Sequence, residues 1–393
     1  MAQKVPSAIK GFKDKYPAEK AQQDWLFHKL TEVIKSFGYS SYDGPLIEPI
    51  DLYLNKSSEE LVREQTFGLV DRDGRKLVLR PEMTPTLARM VAARAMELVI
   101  PLRWFNIGLR YRYEAPQKGR SREFYQIDCD LIGPDSRIAD AEIISIAALL
   151  LRALGVTPQE AVVYVNSRSS MKDFFKANGI SDDLQKPILT IIDRMEKQPV
   201  EISHKAILDL GVDRQVVDKI LNIDPNDAPI PPDIGECLSY CKSYGVADYI
   251  EYNPRIVRGL DYYTGIVFEV KARHGLTRSL YGGGRYNNLI TSYGANRDLP
   301  GVGFATSDVI LLAFLQDLGK LPDFKGTSTI ILAPLFENED PAYVFGWCQD
   351  LRKEGMAVET YPEQAPLSKQ LTYAQKAGIP FVLIAGEKGT QRW

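Results

Sequence analysis

Two neighbouring segments, 109–114 and 122–133, combine groups that could bind a phosphate and an amino acid. Because successive side chains of a strand face opposite ways, the first segment places three charged groups on one face, namely Arg110, Arg112 and Glu114. The second places a ring, an amide and two carboxylates on one face, namely Phe124, Gln126, Asp128 and Asp130. Guanidinium groups bind phosphate oxygens bidentately, a flat ring can stack on a base, and an amide with a carboxylate can hold an ammonium group. The alternative is an antiparallel hairpin whose polar face is only solvated.

Three further segments carry groups of possible chemical use. "RGLDYYTGIVFE" (258–269) contains a cation, a carboxylate and two adjacent phenols, where the pattern otherwise predicts a β-strand. "LVLRPEMTPT" (77–86) adds Glu82 and Thr84, which either cap the helix that starts at Thr84 or bind a ligand. "YGGGRYNN" (281–288) lacks the Gly-Lys-Ser/Thr ending of a phosphate-binding loop. Its three glycines indicate instead that other groups pack closely against the backbone there.

The elements that must position these residues alternate over the first 160 residues. An amphipathic helix ends at Gly38, and "SSYDGPLIEPIDLY" (40–53) follows as strand and turn. Residues 66–82 predict a hairpin that turns at Asp73-Gly74, since that pair accepts a positive φ at low cost. A helix from Thr84, strands around 103–114 and 122–133, and a helix over 140–154 complete this part.

The remaining two thirds divide into three parts. Residues from about 168 to 248 are helical and polar, which predicts a helical insertion, and strands return over 251–310. After a linker at 317–329, a β-α-β-α-β pattern predicts a small sheet of parallel strands covered by helices. The chain stops soon after the third of these strands, so we expect this last domain, 327–393, to be cut short.

Composition restricts the class of protein. With 45% hydrophobic and 25% charged residues the chain can form a sizeable core, and its apolar runs are too short for a membrane span. The N-terminus lacks the apolar core of a signal peptide, so we expect a cytoplasmic protein. Four cysteines and three histidines show no metal-ligand spacing, and no metal site is expected. Because the net charge is −3, any nucleic acid would have to bind at a local basic patch.

Together these motifs resemble one family. "RYRYEAPQKGRSREFYQIDCD" (110–130) resembles motif 2 of the class II aminoacyl-tRNA synthetases, specifically the histidyl-tRNA synthetases. Residues 258–269 and 281–289 resemble that family's two histidine-specific signatures, and "GYSSYDGPLIEP" (38–49) resembles motif 1, whose proline, here Pro45, lies at a dimer interface. Residues 367–387 are similar to the family's anticodon-binding domain.

The resemblance implies both a fold and an activity. The fold is an α+β catalytic domain (1–320) with an antiparallel sheet flanked by helices and a helical insertion at about 168–248, followed by a small α/β anticodon-binding domain, in a homodimer. The activity is ATP-dependent histidine–tRNA ligation, in which histidyl-adenylate forms and histidine is transferred to tRNA(His). ATP enters with Mg²⁺ as a substrate complex, and no tightly bound cofactor is expected.

It also implies roles for particular residues. The histidine-binding residues are Glu82, Met83, Thr84, Gln126, Asp130, Tyr262 and Tyr263, with Asp130 near the α-amino group and the tyrosines around the imidazole. The ATP-binding residues are Arg112 on the α-phosphate and Glu114 and Phe124 near the adenine. Arg258 lies beside the substrate carboxylate and the α-phosphate, so Arg112 and Arg258 form the catalytic pair. The acceptor end of tRNA meets Gln117, Lys118 and Arg120.

One segment departs from the family pattern. In "GFATSDVILL" (303–312), Ser307, Val309 and Ile310 replace a glycine, a glutamate and the motif 3 arginine that ordinarily contacts the γ-phosphate. Since a charge-assisted hydrogen bond is worth about 1.5–3 kcal/mol, the loss predicts an impaired or compensated enzyme, with Arg285 as one candidate to compensate.

This departure keeps a second hypothesis open: a non-catalytic, histidine-binding regulatory paralogue that acts with ATP phosphoribosyltransferase. Such paralogues usually lack the anticodon domain and the arginine found here as Arg258. A third class, an unrelated nucleotide-binding structural protein, would leave the matched order of the motifs unexplained.

Overall fold

The computed structural model describes residues 5–54, 64–195, 198–221, 228–258, 262–337 and 340–384. The chain divides into two compact units, one formed by residues up to Lys13 with Leu26–Lys320, the other by Asp14–Trp25 with the residues from Leu321 onward. Within the described ranges, no helix combines the length and apolar character that a bilayer crossing needs. The same ranges contain no group of three His, Cys, Asp or Glu side chains that could hold a metal ion.

The first unit begins with short strands and then builds a large sheet. Helix α1 (Pro17–Ser36) enters this unit at Leu26 and is followed by strands β1 (Ser40–Ser41), β2 (Ile47–Pro49), β3 (Phe67–Val70) and β4 (Lys76–Leu79). Helix α2 (Thr84–Ala93), strands β5 (Leu102–Tyr111) and β6 (Glu123–Ile132), helix α3 (Arg137–Ala153) and strand β7 (Ala161–Ser167) come next.

Helices and then strands complete this unit. The helices within the predicted insertion are α4 (Arg168–Ala177), α5 (Asp182–Arg194), α6 (Val200–Asp209), α7 (Arg214–Leu221) and α8 (Pro232–Ser243). Strands β8 (Ile250–Tyr252), β9 (Ile266–Ala272), β10 (Ser279–Tyr286) and β11 (Gly301–Ser307) lead into helix α9 (Asp308–Asp317).

Eight strands form the main sheet in the order β1-β5-β6-β11-β10-β9-β7-β8. Pairing is antiparallel from β5 through to β7, and only the two edge pairs, β1 with β5 and β7 with β8, are parallel. The predicted antiparallel sheet is thus confirmed. The expected hairpin is also present: β3 pairs with β4 antiparallel, and Gly74 takes the positive φ of the turn, at 80°.

Helix α3 covers one face of this sheet because its sequence is apolar nearly all round. Most of its residues are buried, and Ser136 caps its N-terminus by accepting a hydrogen bond from the Ala139 amide at 3.3 Å. The helix contacts β6, β7, β9 and β11. On β6 the buried residues Ile127, Cys129 and Leu131 alternate with Gln126, Asp128 and Asp130, which leaves the polar set on the opposite face.

The second unit has the predicted β-α-β-α-β order. Its elements are β12 (Ile331–Ala333), α10 (Pro341–Lys353), β13 (Val358–Thr360), α11 (Leu367–Ala377) and β14 (Phe381–Val382). The strands pair in parallel in the order β13-β12-β14, which confirms the small parallel sheet. The end of the segment similar to the anticodon-binding domain, 385–387, lies outside the described residues.

One local prediction is wrong, and one of two open alternatives is excluded. The strand expected across 258–269 begins only at Ile266, so Arg258, Tyr262 and Tyr263 precede it, and 259–261 lie outside the described residues. Helix α2 does begin at Thr84, but Met83 occupies the cap position and no side chain there accepts a capping hydrogen bond. The Thr84 hydroxyl is instead hydrogen-bonded to the phenol of Tyr262. Arg258, Tyr262 and Tyr263 do not pair in the sheet, and Thr84 does not cap its helix. Their side chains can therefore converge on a ligand.

Candidate active site

A cavity of about 940 Å³ in the first unit brings most of the predicted site residues together. Its lining includes Glu82, Thr84, Arg112, Glu114, Arg120, Phe124, Gln126, Asp130, Arg258, Tyr262 and Tyr263. Met83 is fully buried and does not line the cavity; its sulfur contacts the Arg80 guanidinium at 3.7 Å. Gln117 and Lys118 lie exposed on the β5–β6 connection, and the Lys118 ammonium pairs with Asp317 at 2.5 Å. The cavity therefore unites predicted residues that are up to 181 positions apart in sequence, from Glu82 to Tyr263.

Arg112 lies just beyond the end of β5 and is aimed at the cavity by three contacts. Its Nε donates to the Pro81 carbonyl at 2.9 Å, its Nη2 donates to Gln126 Oε1 at 3.4 Å, and its Cζ lies 5.3 Å from the Phe124 ring centroid. The Arg112 amide also donates to the Arg122 carbonyl at 2.9 Å, which continues the hairpin past Tyr111. The predicted alternation of faces on these two strands is thus confirmed by side-chain contacts.

Arg258 reaches the same cavity from the loop before β9. Its Nη1 donates to Glu269 Oε1 at 3.0 Å, and the other oxygen of Glu269 pairs with the Lys271 ammonium at 3.2 Å. Burial, the largest single effect, would lower the pKa of the Arg258 guanidinium, but the charge and hydrogen bond of Glu269 together with the neighbouring phenols outweigh it, and the pKa is raised. Among the non-glycine residues described, only Arg258 has a positive φ, at 55°. Such a conformation costs free energy, and a charged pair that holds it in place points to a function.

The two guanidinium groups lie close enough for their charges to interact. Burial lowers the pKa of Arg112, and the neighbouring charge of Arg258 lowers it further, while Glu82 and Asp128 oppose this effect. Two cations held together in one cavity repel each other, and an anion between them relieves that repulsion. The arrangement is therefore suited to a ligand with a phosphoryl group.

Asp130 is the most deeply buried carboxylate of the cavity wall. The Tyr286 hydroxyl donates to its Oδ1 at 2.6 Å, and burial raises its pKa to about 8. Gly303 on β11 pairs with Asp130, and a Cβ at Gly303 would lie 2.0 Å from Oδ1. Asp128, one layer deeper, receives hydrogen bonds from Arg110 at 2.8 Å and from Gln126 at 2.5 Å. A buried carboxyl with a raised pKa is well suited to bind an ammonium group.

Two adjacent phenols form another part of the wall. The rings of Tyr262 and Tyr263 are 4.8 Å apart at 60°, and Tyr262 meets Tyr286 edge-on with 6.1 Å between centroids. Burial raises the pKa of all three hydroxyls, so they remain neutral donors and acceptors. This wall can enclose a small, flat ring and form hydrogen bonds with its heteroatoms.

The glycine run on β10 is explained by close approach, as predicted. A Cβ at Gly282 would lie 2.5 Å from Arg258 Nη1, and one at Gly284 would lie 2.8 Å from the Tyr263 ring. At Gly283 the nearest atom would be the Gly303 carbonyl oxygen, at 2.2 Å. Gly282 and Gly284 thus make room for cavity side chains, whereas Gly283 makes room for the neighbouring strand.

The replacement Gly283→Ala is therefore expected to lower the free energy of unfolding by about 1–3 kcal/mol, because overpacking against a backbone carbonyl cannot be relieved by a rotamer change. Urea denaturation measures the effect. Gly235→Ala is the matched control, since its Cβ would meet nothing within 4 Å and helix α8 favours alanine. Equal midpoints for the two variants would contradict the packing argument.

The structure also identifies site residues that the sequence argument missed. Glu269 and Lys271 line the cavity, Glu269 pairs with both Arg258 and Lys271, and Tyr286 donates a hydrogen bond to Asp130. The alternation of Glu269 and Lys271 on one face of β9 was a usable signal for the first two. Arg278 also lines the cavity, and its position in a loop offered no pattern from which to infer this.

The suggestion that Arg285 replaces the motif 3 cation is wrong. Arg285 is fully buried outside the cavity, where it donates to Asp140 at 2.7 Å and to the carbonyls of Pro134 and Ser136. Ile310 does line the cavity, and Ser307 caps helix α9 by accepting from the Ile310 amide at 3.4 Å. Arg285 is thus a packing residue that joins β10 to the start of α3.

Solved structures with a similar fold cover nearly the whole chain. A histidyl-tRNA synthetase from Nostoc sp. PCC 7120 matches with a TM-score of 0.85 at 24% identity, over 98% of this chain and 93% of that one. A Bacillus halodurans structure described as an ATP phosphoribosyltransferase regulatory subunit/histidyl-tRNA synthetase matches with a TM-score of 0.71 at 21% identity, over 96% and 97% of the two chains. At these identities the likeness concerns the fold, which is that of the class II synthetases.

Sequence comparison identifies the family. Histidine–tRNA ligases from Leptospira biflexa and Thermoplasma volcanium are 37% and 35% identical to this chain, over 96% and 97% of it and 89% and 91% of their own lengths. A chloroplastic/mitochondrial histidine–tRNA ligase from Arabidopsis thaliana is 32% identical, over 96% of this chain and 80% of its own. A model of the anticodon-binding domain matches residues 329–392, and one of histidyl-tRNA synthetase matches residues 11–308. The chain belongs to the histidyl-tRNA synthetase family.

Proposed function

We propose that this protein is a histidine–tRNA ligase, which activates histidine with ATP to histidyl-adenylate and transfers the histidyl group to tRNA(His). The observation that carries the proposal is the meeting of Arg112 and Arg258 in one cavity with Asp130 and the two tyrosines. The identity of the relatives over nearly full length supports it. The match to an anticodon-binding domain supports a ligase over a regulatory paralogue, since a subunit that only senses histidine needs no such domain.

The geometry suggests how the first step proceeds. The histidine carboxylate attacks the α-phosphorus of ATP, charge builds on the phosphoryl oxygens, and pyrophosphate leaves. No proton has to be removed, so positioning and charge neutralisation supply the catalysis. In this scheme Arg112 and Arg258 bind the α-phosphate, and Arg258 also contacts the attacking carboxylate. Phe124 and Glu114 lie beside the adenine, and Mg²⁺ enters on the ATP phosphates.

The same scheme assigns the amino acid pocket. Asp130 and Gln126 bind the α-ammonium, and Glu82, Thr84, Tyr262 and Tyr263 surround the imidazole. An imidazole can form two hydrogen bonds, so analogues that lack its nitrogens leave buried polar groups unpaired and are rejected. Met83 is buried outside the cavity lining, so any part it has in histidine binding is indirect, through the residues packed around it. In the second step the terminal ribose hydroxyl of tRNA attacks the carbonyl carbon of histidyl-adenylate, so that the histidyl ester forms, the acyl–phosphate bond breaks, and AMP and the hydroxyl proton are released.

The tRNA and the second subunit are assigned by resemblance, with support from exposure. Gln117 and Lys118 are exposed, and Arg120 lines the cavity in an ion pair with Glu114, so this loop is placed to meet the acceptor end. Beside Pro45, the apolar side chains of Leu46 and Ile47 are 38% and 45% exposed, which suits a homodimer interface. We expect the dimer to work in the cytoplasm.

Histidine-dependent exchange of pyrophosphate into ATP tests the proposed activity. The full-length protein should catalyse exchange with histidine and ATP, and omission of histidine or its replacement by another amino acid should abolish it. If exchange stays at background while calorimetry detects histidine binding, the regulatory function replaces the ligase function.

Asp130 predicts a pH dependence of histidine binding. With a pKa of about 8, its carboxyl is mostly protonated at pH 7, so binding the α-ammonium should release about one proton and the affinity should rise up to about pH 8. The folded pKa lies above the ordinary value of about 4. The native state therefore binds more protons than the unfolded state in that window, and this carboxyl lowers stability as the pH rises from about 4 to 8.

Calorimetry at pH 7 in two buffers of different ionisation enthalpy measures the released proton. Asp130→Asn is the matched control, because it keeps the shape of the side chain and cannot ionise. The wild type should release the proton and the variant should not. Equal proton release by both proteins would remove Asp130 from the ammonium site.

A further inference from the structure

One part of the cavity wall has lost the cation that the family pattern places there. Helix α9 contributes Val309 and Ile310 to the lining, and both are apolar. Ile310 is 5% exposed, and its Cδ1 would lie 2.5 Å from a Cβ at Gly119, so it packs tightly against the loop between β5 and β6. Nothing charged from this helix turn therefore faces a ligand, and the outer phosphates of ATP need another partner.

Arg278 lies one residue before β10 and lines the same cavity. The pairing of β9 with β10 shifts register between Ser279 and Tyr281, and such an irregularity turns neighbouring side chains away from the regular alternation. Across this irregularity Ser279 is paired with Lys271, the residue that also binds Glu269 beside Arg258. The start of β10 thus brings Arg278 to the cluster of cations that already holds Arg112, Arg258 and Lys271.

The Arg278 guanidinium has a buried hydrogen-bond donor that no described residue accepts from. Its Nη1 is buried and has no hydrogen-bond partner in the part of the chain that the structure describes. Arg278 and Arg112 line the same cavity. Burial lowers the pKa of Arg278, and the charge of Arg112 lowers it further. A buried donor without an acceptor and two like charges in proximity both destabilise the empty site. An anionic ligand that extends beyond Arg112 would accept a hydrogen bond from Arg278 and would reduce the repulsion between the two guanidinium groups.

We propose that Arg278 binds the β,γ-phosphate portion of ATP and replaces the motif 3 arginine whose position is occupied by Ile310. This rests on the proposed ligase function, in which Arg112 and Arg258 take the α-phosphate. In this arrangement the triphosphate is bound at its inner end by Arg112 and Arg258 and at its outer end by Arg278, all of which line the cavity. The loss of the helix cation is thereby compensated by a residue that directly precedes β10.

The test compares ATP with AMP, because AMP keeps the α-phosphate and lacks the outer two. In Arg278→Met the affinity for ATP should fall roughly 10- to 150-fold, the worth of one charge-assisted hydrogen bond, while the affinity for AMP should stay unchanged. Calorimetry with full-length protein measures both. Arg278→Lys keeps the charge and should recover part of the affinity for ATP. Arg273→Met is the matched control, since Arg273 pairs with Glu251 outside the cavity.

Unchanged ATP affinity in Arg278→Met would overturn the assignment, and so would equal weakening of ATP and AMP, which indicates a general structural role. A failure of the Arg278 assignment can be distinguished from a failure of the proposed ligase function. Wild-type exchange together with unchanged ATP affinity in the variant refutes this inference alone. Selective loss of ATP affinity without wild-type exchange refutes the ligase function and leaves Arg278 as a phosphate-binding residue.

Discussion

Arg258→Ala is expected to lower histidine-dependent pyrophosphate exchange by about 10²–10³-fold, the usual cost of removing one preorganised donor to the charge that develops in a transition state. The reason is that Arg258 and Arg112 lie close together in the cavity, and only Arg258 is also positioned by Glu269. The loss should appear in the rate of adenylate formation more than in the affinity for histidine. Pyrophosphate exchange with a parallel histidine titration measures both.

The fold should survive this substitution. Glu269 keeps the Lys271 ammonium at 3.2 Å, so its carboxylate does not become an unpaired buried charge. The other cost of alanine is the positive φ at position 258, which concerns this single residue. Arg273→Ala, an arginine of the same strand region outside the cavity, is the control and should leave exchange unchanged. Undiminished turnover in Arg258→Ala would remove this residue from the mechanism.

Arg110→Met is expected to lower the free energy of unfolding by about 3–5 kcal/mol, because it leaves the Asp128 carboxylate buried without its cation. Arg110 is fully buried and donates from Nη2 to Asp128 at 2.8 Å and to Asn106 at 2.7 Å. Burial raises the pKa of Asp128, and the charge of Arg110 opposes that rise. The midpoint of urea unfolding, followed by circular dichroism, measures the loss.

The same substitution at an exposed pair is the control. Arg75 binds Asp71 through Nε at 2.6 Å, but the Arg75 side chain is 70% exposed, so Arg75→Met should cost less than about 1 kcal/mol. The double variant Arg110→Met with Asp128→Asn should recover part of the stability, because no charge remains buried. Equal costs for the Arg110 and Arg75 variants would contradict the burial argument.

The arrangement of β5 and β6 was predictable because it depends on a local rule. Alternation along a strand put Arg112, Phe124 and Gln126 on one face, and the observed contacts among them agree. The glycine run was predictable for a similar reason, since glycine at successive strand positions has few causes other than close approach. The strand was wrongly extended back to Arg258, because its isoleucine, valine and phenylalanine pattern does not mark where it begins, and it starts only at Ile266.

The sequence alone determined which family's fold the chain adopts and predicted many of the side chains that line the cavity, because motif order and side-chain alternation are properties of the chain itself. The tertiary structure decided which cations line the cavity and which are buried elsewhere. Arg285 and Arg278 are equally charged and seven residues apart, yet one is locked against Asp140 and the other faces the cavity with a donor unpaired among the described residues. Burial and partners are set by strands that are distant in sequence, and no local pattern records them.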